Sequence, residues 1–407
     1  MKIEGLVKRI MILTLKVGSI MRYTNILSEI PDSYFGKTMG KKVEHGPHSL
    51  INLAVGIPDA DTPQVILDEL SRAILKPENQ KYLAFQGKEA FKQAIVDFYQ
   101  RQFDVHLDPE KEVCLLYGTK NGLVALPTCV IEPNDEVLLP DPGYTDYLAG
   151  VILAKGQPKP LELTQERHYL PDWDSVDTSN TKLIYLTYPN NPTGSVANTA
   201  FFQDTIDRFK GTKTKIVHDF AYQAFGFDQS NPSILQAKGA KDVAVEVFSF
   251  SKGYNMSGYR VGFAVGNANI IQNLQKYHTH TQAGMYGALQ DACTVALNEC
   301  DDVLKEQARI FGQRRDLIED ALQQARIPHE PVKGGIFLWL QCPPGFSSDA
   351  FITYLLKKLS ILAAPGHPFG KRGEGYVRLS FAIDEIQLRE ALNRLISIKG
   401  LYHNHEL

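Results

Sequence analysis

"VAVEVFSFSKGYNMSGYRVGFAVG", residues 243–266, sets two short apolar runs on either side of a segment rich in glycine, serine and tyrosine. The first run gives way to Ser249 and a single lysine, Lys252; Arg260 follows eight positions later. Gly253 and Gly258 break any helical pattern after the lysine. Lys252 is then either a solvated loop cation or a nucleophile held at the end of a strand. Taken alone, the first reading is the commoner one, because lysines are mostly exposed.

The surrounding sequence favours a strand end. From about residue 65, helical spacing ("ILDELSRAIL", "FKQAIVDFYQRQF") alternates with short continuous apolar runs. These runs are "EVCLLYG", "DEVLLPD", "KLIYLTYP", "TKIVHDF", "VAVEVFSF" and "VGFAVG". Strands of this kind, separated by helices, belong to an α/β fold with a mostly parallel sheet covered on both faces. Ligands in such sheets bind beyond the carboxyl ends of the strands. There the sequence places "YGTK", "PDPGY", "YPNNPTG", "HDFAY" and "SFSK". After about residue 300 the pattern changes. A long amphipathic helix, "KEQARIFGQRRDLIEDALQQA", precedes the strand-like "GGIFLWLQ" and "GYVRLSFA" of a smaller α+β lobe. The expected division is a large domain over 66–304 and a small one from 22–65 and 305–407.

Composition narrows the function. The chain has 407 residues, 43% apolar and 22% charged, with a net charge of -3. That balance does not favour nucleic acid or an anionic membrane as a partner, and no apolar run reaches the length of a membrane span. Cys114, Cys129, Cys293, Cys300 and Cys342 are widely spaced without a C-x-x-C pair. They suggest neither a metal site nor a disulfide framework, and read as buried thiols in a reducing, cytoplasmic setting. The first residues, 1–21, are basic and partly apolar, but "IMILTL" is short and Lys16 interrupts the segment, unlike a signal peptide. They are expected to be an N-terminal extension, with Met21 as an alternative start.

At the strand ends, each residue type suits one need. A lysine amine forms a Schiff base with an aldehyde when burial or nearby cations lower its pKa. Arg260 and the Ser249 hydroxyl suit a phosphate. So do the free N–H groups of Gly118, Thr119 and Lys120, where "GTKNG" opens a helix. An aldehyde and a phosphate on one small molecule point to pyridoxal 5′-phosphate. Its ring nitrogen needs a carboxylate, and Asp219 at the end of "KIVHD" is the candidate, although a turn or N-cap aspartate reads the same way. Tyr222 and Asn191 could bond the ring hydroxyl, although "NNPTG" also reads as a surface turn. Tyr144 offers a stacking face. Arg378 stands inside an apolar strand, where it needs an anion: a substrate α-carboxylate, or an internal acid.

These motifs, in this order over roughly residues 22–400, resemble the class I/II aminotransferases of the fold-type-I pyridoxal-phosphate superfamily. The text is most similar to bacterial methionine-salvage and LL-diaminopimelate aminotransferases. The resemblance implies that Lys252 carries the cofactor and that Asp219 partners its ring nitrogen. It implies Asn191 and Tyr222 at the ring hydroxyl, Tyr144 stacked on the ring, and Ser249, Arg260 and residues 118–120 at the phosphate. Arg378 and the Gly56 backbone would hold the substrate carboxylate, and Tyr82 of "YLAFQG" would reach the phosphate of a second subunit in a homodimer. One subgroup of aspartate aminotransferases has an arginine for the side-chain carboxylate, and residues 261–308 contain none. "YFGKTMG" and "YHTHTQAGMYG" are expected to face the substrate side chain and to suit a thioether or aromatic group; an LL-diaminopimelate-type substrate is the alternative, and its distal ammonium would need a carboxylate or carbonyl partner. A C–S lyase or an acyl-CoA condensing synthase would use the same cofactor residues. A ligand-binding regulator would need a DNA-binding domain, for which the N-terminal segment leaves no room.

Overall fold

The apolar runs become strands because both of their faces are covered. In chain order the strands are β1 (Ile51–Asn52), β2 (Val113–Leu116), β3 (Glu136–Asp141), β4 (Gln157–Glu162), β5 (Thr181–Thr187) and β6 (Lys215–Asp219). They continue with β7 (Ala244–Ser249), β8 (Gly262–Gly266), β9 (Phe337–Gln341), β10 (Ile361–Leu362), β11 (Ala364–Pro365) and β12 (Tyr376–Ser380). The computed structural model describes residues 25–32, 34 and 44–403. The expected extension at 1–21 and residues 35–40 of "YFGKTMG" lie outside the described residues.

A seven-stranded sheet runs in the order β2-β8-β7-β6-β5-β3-β4. Its pairs are parallel except those of β8, which is antiparallel to both β2 and β7. Alternate residues enter different clusters. Leu183 and Tyr185 of β5 join Leu123 and Leu126 of helix α1 (Thr119–Val130) on one face. Ile184 and Leu186 join Phe91 and Phe98 of the Glu89–Phe103 helix on the other. Period-two alternation therefore persists even where every residue is apolar.

One strand was not legible. "QPKPLE" forms β4 although it contains Pro158 and Pro160 and is largely exposed. It sits at the sheet edge, where a proline's missing N–H leaves no buried bond unmade.

A third apolar cluster draws on Ile51 and Leu53, then on residues from Phe311 onward, and takes in Tyr222 and Phe225 from beyond β6. It packs around the three-stranded sheet β11-β12-β9 and the short β1-β10 ladder. The helix Asp301–Gln324 bridges the clusters, with Leu304 in the sheet core and Phe311 in this one. The result brings β12 and the loop after β1 over the carboxyl edge of the main sheet.

Phe248 on β7 is fully buried and stacks on its register partner Phe263 at 4.7 Å. Phe248→Ala should remove about 3–5 kcal/mol of stability, read as a lower urea midpoint with the secondary structure retained.

Candidate active site

A cavity of about 520 Å³ opens at the carboxyl edge of the main sheet. Its floor comes from β5, β6 and β7, one side from the start of α1, and its roof from the loop after β1 together with Phe337 and Arg378.

The β2–α1 turn is set by Gly118, whose φ of 82° lies in the left-handed region. A Cβ there would come within 2.5 Å of Arg260 Nη2, so the glycine also admits the guanidinium. No side chain caps the helix that begins at Thr119, which leaves its first N–H groups for a ligand. Arg260 itself has a φ of 57° and donates from Nη1 to the Ser257 carbonyl at 2.8 Å. Ser249 ends β7, and its hydroxyl accepts from the Ser251 N–H. Backbone N–H groups, hydroxyls and a guanidinium thus converge on one corner.

Lys252 lies one short turn beyond β7, and its Nζ donates to the Gly56 carbonyl. Burial, then the charges of Arg378 and Arg260, push its pKa down to about 8. Gly56 is required by packing: a Cβ would lie 2.4 Å from the Phe337 ring.

Asp219 ends β6 and is 6% exposed. Burial raises its pKa, opposed by the Tyr147 hydroxyl, which donates to Oδ2 at 2.7 Å, and by the Ala221 N–H on Oδ1. Tyr222 is buried, with its ring edge-on to Phe337, and desolvation raises its phenol. Tyr144 is half-buried at the wall, with the Lys120 ammonium 6.0 Å from its ring centre. Lys120 pairs with Asp146 at 2.8 Å.

Arg378 projects from β12. Its Nη1 donates to Asn191 Oδ1 and its Nη2 to the Ala54 carbonyl, each at 2.8 Å. The guanidinium carbon lies 4.0 Å from the Phe337 ring centre and 4.8 Å from that of Phe369. Burial lowers its pKa to about 10. A guanidinium held flat and in place is suited to bidentate carboxylate binding.

Gly56, Thr119, Lys120, Tyr144, Asn191, Asp219, Tyr222, Ser249, Lys252, Arg260 and Arg378 therefore share one cavity, and Gly118 stands at its edge. Tyr82 does not join them; it is 89% exposed. None of residues 277–287 of "YHTHTQAGMYG" lines the cavity of this chain, contrary to expectation. That segment turns instead onto "YLAFQG", where Gly284 is pressed against the Leu83 and Ala84 carbonyls. Sequence reasoning did not single out Tyr147, Ser251, Ser257 and Phe337. Tyr147 stands three positions after Tyr144, and Ser251 alternates with Ser249, so spacing offered a signal for these two.

The donor set fits pyridoxal 5′-phosphate: an amine with a lowered pKa, a buried carboxylate in the same cavity, and an anion-binding corner from which Gly118 keeps any side chain away.

Comparison with known proteins agrees. The family described as aminotransferase class I and II matches residues 48–395. The chain is 42% identical over 379 residues to an L-glutamine–4-(methylsulfanyl)-2-oxobutanoate aminotransferase of Bacillus subtilis, covering 91% of this chain and 95% of the relative. It is 37% identical to an LL-diaminopimelate aminotransferase of Aquifex aeolicus, covering 93% and 100% of the two. A solved aminotransferase from Staphylococcus aureus superposes with a TM-score of 0.91 at 62% identity, covering 93% of this chain and 100% of that one.

In cofactor-free protein, competitive acetylation of Lys252 should titrate with a midpoint near 8. Arg260→Gln removes one nearby positive charge and should raise that midpoint. A midpoint in the ordinary lysine range, about 10.4, would contradict the electrostatic account.

Proposed function

The chain belongs to the class I and II aminotransferases, enzymes that use pyridoxal 5′-phosphate, and we propose how its side chains share that work. The reaction moves an amino group between an L-amino acid and a 2-oxo acid in two half-reactions, one substrate leaving before the next binds. The bound cofactor supplies an electron sink for charge left on the substrate α-carbon.

Lys252 would hold the cofactor through Nζ and, as a free amine, would take and return the substrate α-carbon proton. Its lowered pKa keeps free amine available near neutral pH. Asp219 partners the ring nitrogen, and its burial strengthens that ion pair. Asn191 and Tyr222 would bond the ring hydroxyl, and Tyr144 would stack on the ring. Ser249, Arg260 and the N–H groups of residues 118–120 hold the phosphate. Arg378 and the Gly56 backbone bind the substrate carboxylate. The observation that carries this reading is the gathering of Lys252, Asp219 and Arg378 around one cavity.

We assign residues 66–304 to a large cofactor-binding domain and 22–65 with 305–407 to a small one. The separate apolar cluster built largely from residues beyond Phe311 supports this division. The working form is a cytoplasmic homodimer in which Tyr82 reaches the phosphate bound by its partner. Tyr82, Phe85 and Tyr286 are large apolar side chains left exposed on the single chain, which favours a covering copy.

For substrate, the B. subtilis relative is named for a thioether 2-oxo acid and glutamine. Leu50, Val55, Ile57, Phe337 and Leu362 give the cavity an apolar wall. Such a wall suits a methionine-type or aromatic side chain better than a second carboxylate.

Lys252→Ala should lose the yellow lysine-linked absorption and about a thousandfold or more of turnover; unchanged transamination would refute the assignment. Mixing Tyr82→Phe with Lys252→Ala subunits should restore activity above the sum of the two, because each mixed dimer regains one intact site. An active strict monomer would refute the dimer. The 2-oxo acid of methionine should exceed oxaloacetate in kcat/KM by about tenfold or more; a preference for oxaloacetate would refute the substrate reading.

A further inference from the structure

On β6, the residue before Asp219 is His218, which is 0% exposed. Its Nδ1 lies 2.7 Å from Glu246 Oε2, on the register partner in β7. Its Nε2 lies 3.2 Å from the Tyr188 backbone carbonyl. A carbonyl only accepts. Glu246, also 0% exposed, already accepts from Tyr99 Oη at 2.8 Å, from Ser233 Oγ at 2.7 Å and from the Ile234 N–H at 3.0 Å. A carboxyl group that already accepts from three donors suits the ionised form, with Nδ1 donating to it as well. A histidine that donates from both ring nitrogens is an imidazolium. The Phe202 and Phe220 rings flank it, each with its centre 5.0 Å away.

We propose that His218 is a positioning residue of the active site: a doubly protonated ring, paired with Glu246, that ties together the three strand ends bearing Asp219, Asn191 and Lys252. Through its backbone it belongs to β6, which ends at Asp219. Through Nε2 it holds the Tyr188 carbonyl at the start of the turn that presents Asn191. Through Nδ1 it holds β7, whose continuation carries Ser249 and Lys252. Its positive charge also stands one residue from Asp219 and favours that carboxylate in its ionised form, against the burial that opposes it. The functional part of this inference rests on the assignment of Asp219 to the cofactor's ring nitrogen. The protonation state does not.

Two measurements test it. In 15N-histidine-labelled wild-type protein at neutral pH, the His218 ring is assigned through its contacts to Phe202 and Phe220. Both of its nitrogens should show directly bonded protons, with and without cofactor. One bare ring nitrogen would overturn the proposal whether or not any variant folds. The second measurement uses H218Q/E246Q, which removes both charges together and so leaves no buried ion unpaired. It should bind the cofactor about tenfold or more weakly, the loss expected when one buried polar contact is broken. The pH titration of the lysine-linked absorption should move as well. A folded double variant with wild-type cofactor affinity and titration would overturn the positioning role. Failure of the cofactor assignment itself would look different: wild-type protein would show no lysine-linked absorption at all.

Discussion

The constraint on which the site depends is an amine stripped of water beside two guanidinium groups. Lys252 is held down to about 8 by burial first, and then by Arg378 and Arg260. Lys120 adds a further cation to the lining but is already paired with Asp146. Against Lys252, Arg260 and Arg378, Asp219 offers one buried carboxylate. A cavity that gathers cations in this way is costly to form unless anions are to enter it. A phosphate at Arg260 and a carboxylate at Arg378 would balance those charges, and would leave burial as the main cause that holds the Lys252 pKa down.

The backbone makes that arrangement rigid. Asp219 and Ser249 are the last residues of adjacent parallel strands, so their separation is set by the sheet rather than by flexible loops. Arg378 arrives from the other end of the sequence. Its strand is clasped on both sides, with Trp339 opposite on β9 and Ala364 opposite on β11. The Ala54 carbonyl and Asn191 then aim the guanidinium into the cavity. Gly56 closes the roof where only a hydrogen fits against Phe337.

Much of this was legible because parallel strands buried on both faces must be apolar throughout and must end where polarity begins. Lys252, Asp219 and Ser249 could be read as strand ends, and Arg378 as an arginine in an apolar strand. β4 could not be read: at an exposed edge nothing demands apolar residues or excludes proline. The three-residue spacing from Tyr144 hinted at Tyr147 but not at its bond to Asp219, which depends on where the Asp146–Leu153 helix sets the hydroxyl in the fold. The segment "YHTHTQAGMYG", expected at the substrate side chain, lies off this chain's own cavity. Its mixed aromatic and polar character suits a pocket, yet in the single chain it turns toward "YLAFQG". The role proposed for Tyr82 rests on resemblance, and its exposure beside Phe85 and Tyr286 is the support the single chain offers.

The two ends of the cavity are built from different materials, and this bears on how such a site can change substrate. The end assigned to the cofactor rests on strand termini, a helix N-terminus and Gly118, where no side chain fits. Change there would disturb the sheet itself. The end assigned to the substrate side chain is lined by Leu50, Ile57 and Leu362, of which Leu50 and Ile57 are among the exposed large apolar residues. They sit beside the two-residue ladder β1-β10, where few buried bonds constrain them. Under that assignment, substitutions on the wall would alter which side chain is accepted and leave the contacts that hold Arg378 unchanged. The carboxylate and amine are common to all amino acids, so the rigid parts of the fold address what substrates share and the exposed wall addresses what distinguishes them.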